Sequence, residues 1–125
     1  MMNIKLILLI LVTNVALNTT LSDKEDLVGS WKIDLRPTPN AKAYFQSFEI
    51  KGVKGKKITG KFYGSTIKNG LINTDWGKIY FAFETRDANH SYYHSGYLKN
   101  GKLVGQSYCP GRNFTIPWRG SKQTR

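Results

Sequence analysis

His90 and His94 stand four residues apart, and Cys109 is the chain's one cysteine. On a strand the two histidines would share a face but lie about 13 Å apart. That is too far for a two-ligand metal clasp, and no carboxylate or cysteine falls in step beside them. Cys109 and His94 would make a thiol–imidazole pair only if the fold joined them. Cys109 precedes Pro110 at what reads as a strand end, so it more simply serves as a small buried apolar residue. The chain has no G-x-S-x-G, no Ser–His–Asp order at a recognisable spacing and no glycine-rich phosphate loop. Asp34, Asp75 and Glu84 form no pair suited to acid–base work. The expectation is a protein without a catalytic constellation, a metal or a cofactor.

Binding is the other chemistry these side chains offer. Tyr44, Gln46, Trp76, Tyr92 and His94 are aromatic or polar and fall where an apolar interior is expected. Ligand pockets are mostly apolar with a few polar groups placed among them. These five are the candidate ligand-binding residues. The alternative is that the rings fill the interior and keep their polar tips in water.

The elements that must position them are short strands. After Asp23-Lys24-Glu25-Asp26 the chain breaks into about eight runs, 27–36, 44–52, 56–67, 70–76, 78–86, 91–99, 102–109 and 113–118. Asn69-Gly70 and Asn100-Gly101 each stand between apolar residues, the preferred pair for a two-residue hairpin turn. Leu27, Gly29, Trp31, Ile33 and Leu35 alternate with Val28, Ser30, Lys32 and Asp34, and Ile79, Phe81 and Phe83 alternate with Tyr80, Ala82 and Glu84. One apolar face per strand implies one core. An open sheet would leave two unpaired edges, which closure removes. The fold class is therefore all-β, an eight-stranded antiparallel up-and-down meander barrel, with a two-sheet β-sandwich as the alternative. Such a barrel has room for packed side chains or one small ligand. Glycines 60, 64, 96 and 105 either leave space inside or mark bends.

Gly29-Ser30-Trp31 on the first strand resembles the G-x-W opening of lipocalin and calycin barrels, and Leu27 to Ile33 is also similar to the first strand of fatty-acid-binding proteins. The resemblance implies a tryptophan that plugs the closed end, here Trp31, beside the close-packed Gly29. It also implies an arginine stacked on that plug, for which Arg119 is the first candidate and Arg112 the second. There are departures. The chain has no second cysteine for a disulfide, no length for a helix after the barrel, and too few residues between 37 and 43 for a helical lid.

Residues 1–22 read as a signal peptide: Lys5, an apolar run from Leu6 to Val12, then the polar Asn18 to Ser22. The run is shorter than the ~20 apolar residues a spanning helix needs. The expectation is a secreted or periplasmic protein with one domain, 23–125, that is not an integral membrane protein after cleavage. The net charge of +11 suits an anionic surface as a partner. Lys51, Lys54, Lys56, Lys57 and Lys61 cluster around one hairpin, but lysines at a turn are ordinarily solvated, so nucleic acid is not the expected partner. The leading expectation is binding of a small apolar or amphipathic molecule. The alternative is an interaction or inhibitor module that meets a secreted protein through loops and basic surface.

Overall fold

The computed structural model describes residues 23–124. The expected signal peptide, 1–22, lies outside them. Nine strands follow in order: β1 (Gly29–Asp34), β2 (Phe45–Lys54), β3 (Lys57–Phe62), β4 (Ser65–Thr66), β5 (Lys68–Asn73), β6 (Ile79–Arg86), β7 (Ser91–Lys99), β8 (Lys102–Cys109) and β9 (Phe114–Lys122). Single 3₁₀ turns at Lys24–Leu27 and Pro110–Arg112 are the other regular elements among the described residues.

The strands pair antiparallel around a ring in the order β1, β9, β8, β7, β6, β5, β3, β2, and β2 pairs with β1 again. Eight strands thus close a barrel, and the two-residue β4 lies against β3. Closure runs through Phe48↔Phe62 on β2–β3 and Trp31↔Phe48 on β1–β2, which rules out two open layers. The seam between β3 and β5 is the thinnest, with Lys57↔Leu71 as its one strand pair.

Alternation explains the core. Trp31, Ile33, Phe48, Ile50, Phe62, Phe81, Phe83, Leu98, Leu103 and Trp118 are all buried, each in step with its strand's inward face. Their outward neighbours are mainly lysines, tyrosines and small polar residues. The aromatics interlock across the middle of the barrel. Phe48 meets Phe62 at 5.2 Å and Phe83 at 5.0 Å between ring centroids, and Phe62 meets Trp118 at 5.6 Å. Such pairs each add about 0.5–1.5 kcal/mol beyond burial. Gly96 and Gly105 do not leave a void. A Cβ on Gly105 would sit 2.3 Å from the Trp118 ring, and one on Gly96 would sit 2.8 Å from the Phe81 ring tip. The glycines make room for rings, which fill the space.

One expected turn is a bulge instead. Asn100-Gly101 does turn β7 into β8, both residues at positive φ. Asn69-Gly70 lies inside β5, where the register with β6 shifts between Lys68 and Leu71. The hairpin turn is Tyr63-Gly64, at φ 53° and 80°, between the paired Phe62 and Ser65. Asn69 keeps the left-handed backbone its type favours, φ 53°, and its amide donates to Glu84 Oε2 at 2.7 Å. Gly70 faces the barrel and presses on Ile58, whose carbonyl oxygen would be 2.6 Å from any Cβ there.

Candidate functional site: a cup at one end of the barrel

The two ends differ. At one, the 3₁₀ turn 24–27 tucks Leu27 under the barrel, and Trp31, 1 % exposed, lies above it and donates from Nε1 to the Leu27 carbonyl at 2.8 Å. The side chain over the Trp31 ring is Lys122, its Nζ 5.4 Å from the centroid and 2.9 Å from the Asp26 carbonyl oxygen it donates to. Arg119 does not take that place. It follows the inward Trp118, so alternation turns it outward, and register sets it beside Asp34, three residues beyond Trp31. Arg112 is at the far end of the barrel. Gly29, at φ 141°, carries the Lys122 stem, since a Cβ would be 2.7 Å from Lys122 Cε.

The other end is open. A cavity of about 690 Å³ is lined by the inward faces of β6, β7, β8 and β9 and by the loops around them. Its walls include Leu35, Phe62, Phe114 and Ile116, and its polar residues include Thr85, His94 and Ser107. The interlocked aromatics stop it from reaching the Trp31 end. The barrel is therefore filled in its lower half and hollow in its upper half. A second depression of about 600 Å³ lies outside the barrel near the β3–β5 seam, bounded by Lys56, Leu71 and Tyr80.

A chain of hydrogen bonds forms the polar part of the cup. Trp118 Nε1 donates to Ser107 Oγ at 2.9 Å. Ser107 Oγ is 2.6 Å from His94 Nδ1, and His94 Nε2 is 2.8 Å from Thr85 Oγ1. Thr85, His94 and Ser107 are 5 %, 4 % and 4 % exposed. The imidazole stacks on Phe83 at 4.7 Å and meets Phe62 at 4.3 Å. Burial among these rings disfavours its charged form and pushes its pKa down to about 4. At neutral pH His94 is a neutral imidazole with one donor and one acceptor.

The rim is polar and aromatic. Tyr92 donates its hydroxyl to Asp87 Oδ2 at 2.7 Å, and Arg112 Nη1 donates to the Tyr92 hydroxyl at 3.2 Å. That Tyr92 bond, with the backbone N–H groups of Asn89 and His90, holds the Asp87 carboxyl down to about 2. Arg112 also lies 5.1 Å from the Phe114 ring centroid. Among the described residues the one salt bridge is Arg36–Asp34; Arg112 meets no carboxylate directly, but it shares the Tyr92 hydroxyl with the Asp87 carboxylate, which offsets part of its charge at the mouth. Across the opening the Tyr44 and Tyr63 hydroxyls meet in a short contact. Tyr63 is held in its left-handed turn by a bond from its N–H to the Ser47 carbonyl, 3.0 Å.

Of the five candidate residues, Tyr44, Tyr92 and His94 line this cup. Trp76 does not. β5 ends at Asn73, so the alternation that would aim Trp76 inward stops short of it, and the residue is 76 % exposed in a turn at the Trp31 end. Gln46 has the inward parity of Phe48 and Ile50 but is only half-buried, outside the cup lining. Thr85, Ser107, Tyr63, Asp87 and Arg112 were not foreseen as cup residues. For two of them a signal existed. Thr85 is in step with Ile79, Phe81 and Phe83, and Ser107 is in step with Leu103 and Gly105, each a polar side chain on a core face. His90 sits in the 87–90 turn, its ring packed at Gly111. Cys109 is a buried free thiol, and no group of three potential metal ligands occurs among the described residues.

No family model, curated protein or solved structure matches the chain.

Proposed function

We propose that this protein is an exported, calycin-like binding barrel that holds a small amphipathic molecule in the cup. The observation that carries the reading is the half-filled interior: a cavity of about 690 Å³ with apolar walls, three buried polar side chains and an arginine at its mouth. The volume falls within the ~300–1,000 Å³ typical of small-molecule sites. Packed aromatics below the cup pre-form it, so binding orders little of the chain. Apolar surface leaving water supplies affinity at about 25 cal/mol per Å². Trp31 under the barrel supports the calycin likeness in position, with Lys122 standing where that family has arginine. The apolar segment 6–12 supports export.

The test is a fluorescence titration with 8-anilinonaphthalene-1-sulfonate, an anionic amphipath. Saturable one-to-one binding is expected, weakened severalfold by Arg112→Gln and unchanged by Gln46→Ala or Trp76→Ala. Binding that depends on Trp76 and ignores Arg112, or no binding, would refute the cup as the site.

A further inference from the structure

The hydrogen bonds at the base of the cup can be counted. Trp118 Nε1, the Ser107 hydroxyl, neutral His94 and the Thr85 hydroxyl each carry one donatable hydrogen, four in all. They are joined in series by three contacts, Trp118 to Ser107, Ser107 to His94 and His94 to Thr85. One hydrogen is left over. Indole can only donate, so the first contact is fixed in direction. If the imidazole proton is on Nε2, Ser107 donates to Nδ1, Nε2 donates to Thr85, and the Thr85 hydroxyl hydrogen is unused. If it is on Nδ1, both Trp118 and His94 donate to Ser107, Thr85 donates to Nε2, and the Ser107 hydrogen is unused. Neither hydroxyl has another acceptor among the described residues. Both line the cup. Wherever the imidazole proton sits, one hydroxyl of a cup-lining residue keeps a hydrogen without a protein partner.

We infer that the cup takes its ligand oxygen-first, with a neutral carbonyl oxygen accepting the spare hydroxyl hydrogen of Thr85 or Ser107 and an anionic end of the same ligand at Arg112. This rests on the cup being a binding site and adds the ligand's chemical class and direction. A carbonyl suits the base because it only accepts, and one neutral donor is all the base offers. A carboxylate would be left with lone pairs unmet among Phe62, Phe83 and Ile116, at a large desolvation cost. The guanidinium at the rim is the place for charge. His94 and Tyr92 are successive inward residues of β7 with their rings stacked 6.5 Å apart, and Arg112 donates to the Tyr92 hydroxyl, so base and rim lie along one wall of the cup. A short aliphatic oxo-acid can reach from one to the other.

The probes are 7-oxooctanoate and octanoate, which differ by one carbonyl in place of a methylene. Calorimetric titration of the full domain should show 7-oxooctanoate binding tighter by about threefold to tenfold, the value of one neutral hydrogen bond. Isotope-edited infrared spectroscopy should place its bound ketone stretch at a hydrogen-bonded frequency. Arg112→Gln should weaken both acids by the same factor and keep their ratio. Octanoate binding as tightly or more tightly, or a ketone stretch at the frequency seen in hexane, overturns the inference and leaves the cup standing as a site. A ratio that collapses in Arg112→Gln puts the oxygen at the rim and also overturns it. Binding of neither acid overturns the inference and counts against the cup itself.

Discussion

Protonating His94 should cost this fold a large part of its stability, and the cost can be worked out from the site. The imidazole is buried against Phe62 and Phe83, with its pKa pushed from 6.5 to about 4. The unfolded chain therefore binds a proton at a higher pH than the native one does. Stability is full above about pH 6.5 and falls as the pH drops toward 4. Over the whole window the shift is worth about 3 kcal/mol, and at pH 4.5 about 2.5 kcal/mol has been lost. That is a considerable share of the ~5–15 kcal/mol a domain commands. Asp34 and Asp87, whose carboxyls are held down to about 2 by Arg36 and Tyr92 respectively, give up their contribution only as the pH falls through their own lower range. The assay is urea unfolding at half-unit intervals from pH 7.5 to 4.5, on the wild type and on His94→Gln. The variant is expected to be less stable at pH 7.5 and to have a much shallower slope below 6.5. Equal slopes in the two proteins, or a flat wild-type profile, would refute the burial argument.

Two packing predictions test the rest of the frame. Gly105→Ala places a methyl 2.3 Å from the Trp118 ring, so overpacking should lower stability by about 1–3 kcal/mol, read as a drop in Tm by near-ultraviolet circular dichroism. Lys122→Met removes the bond to the Asp26 carbonyl and the cation over Trp31, and should lower the urea midpoint modestly; Arg119→Ala, at an exposed outward position, should stay within about 0.5 kcal/mol of wild type. A larger loss from Arg119 than from Lys122 would mean that arginine, not lysine, serves Trp31.

The barrel was legible because side-chain alternation repeats every two residues and the apolar faces are nearly unbroken from Trp31 to Trp118. Alternation also turned Trp31 inward, but it does not say at which end of the barrel the ring lies. What alternation does not carry is where a strand stops. Trp76 has the parity of Ile72 but lies beyond Asn73, and it faces water. Nor does a turn signal identify its own use: Asn69 took the left-handed conformation its type favours, yet in a bulge, while Tyr63-Gly64 made the hairpin. The partner of Trp31 depended on register between β1 and β9, which brings Lys122 opposite it and carries Arg119 past it. His94 was visible as a polar residue on an inward face. Its neighbours Thr85 and Ser107 come from two other strands, and only the pairing Phe83↔His94↔Ser107 sets them around one ring.

The three tryptophans mark three stations, and one spectrum reads them all. Trp118 is one hydrogen bond below the cup, Trp31 lies at the closed end, and Trp76 is in solvent beyond it. In a ¹⁵N-labelled sample titrated with 7-oxooctanoate, the indole N–H signal of Trp118 should move to saturation while those of Trp31 and Trp76 stay in place. Movement at Trp31 or Trp76 with Trp118 unchanged would contradict a barrel that is packed at one end and open for binding at the other.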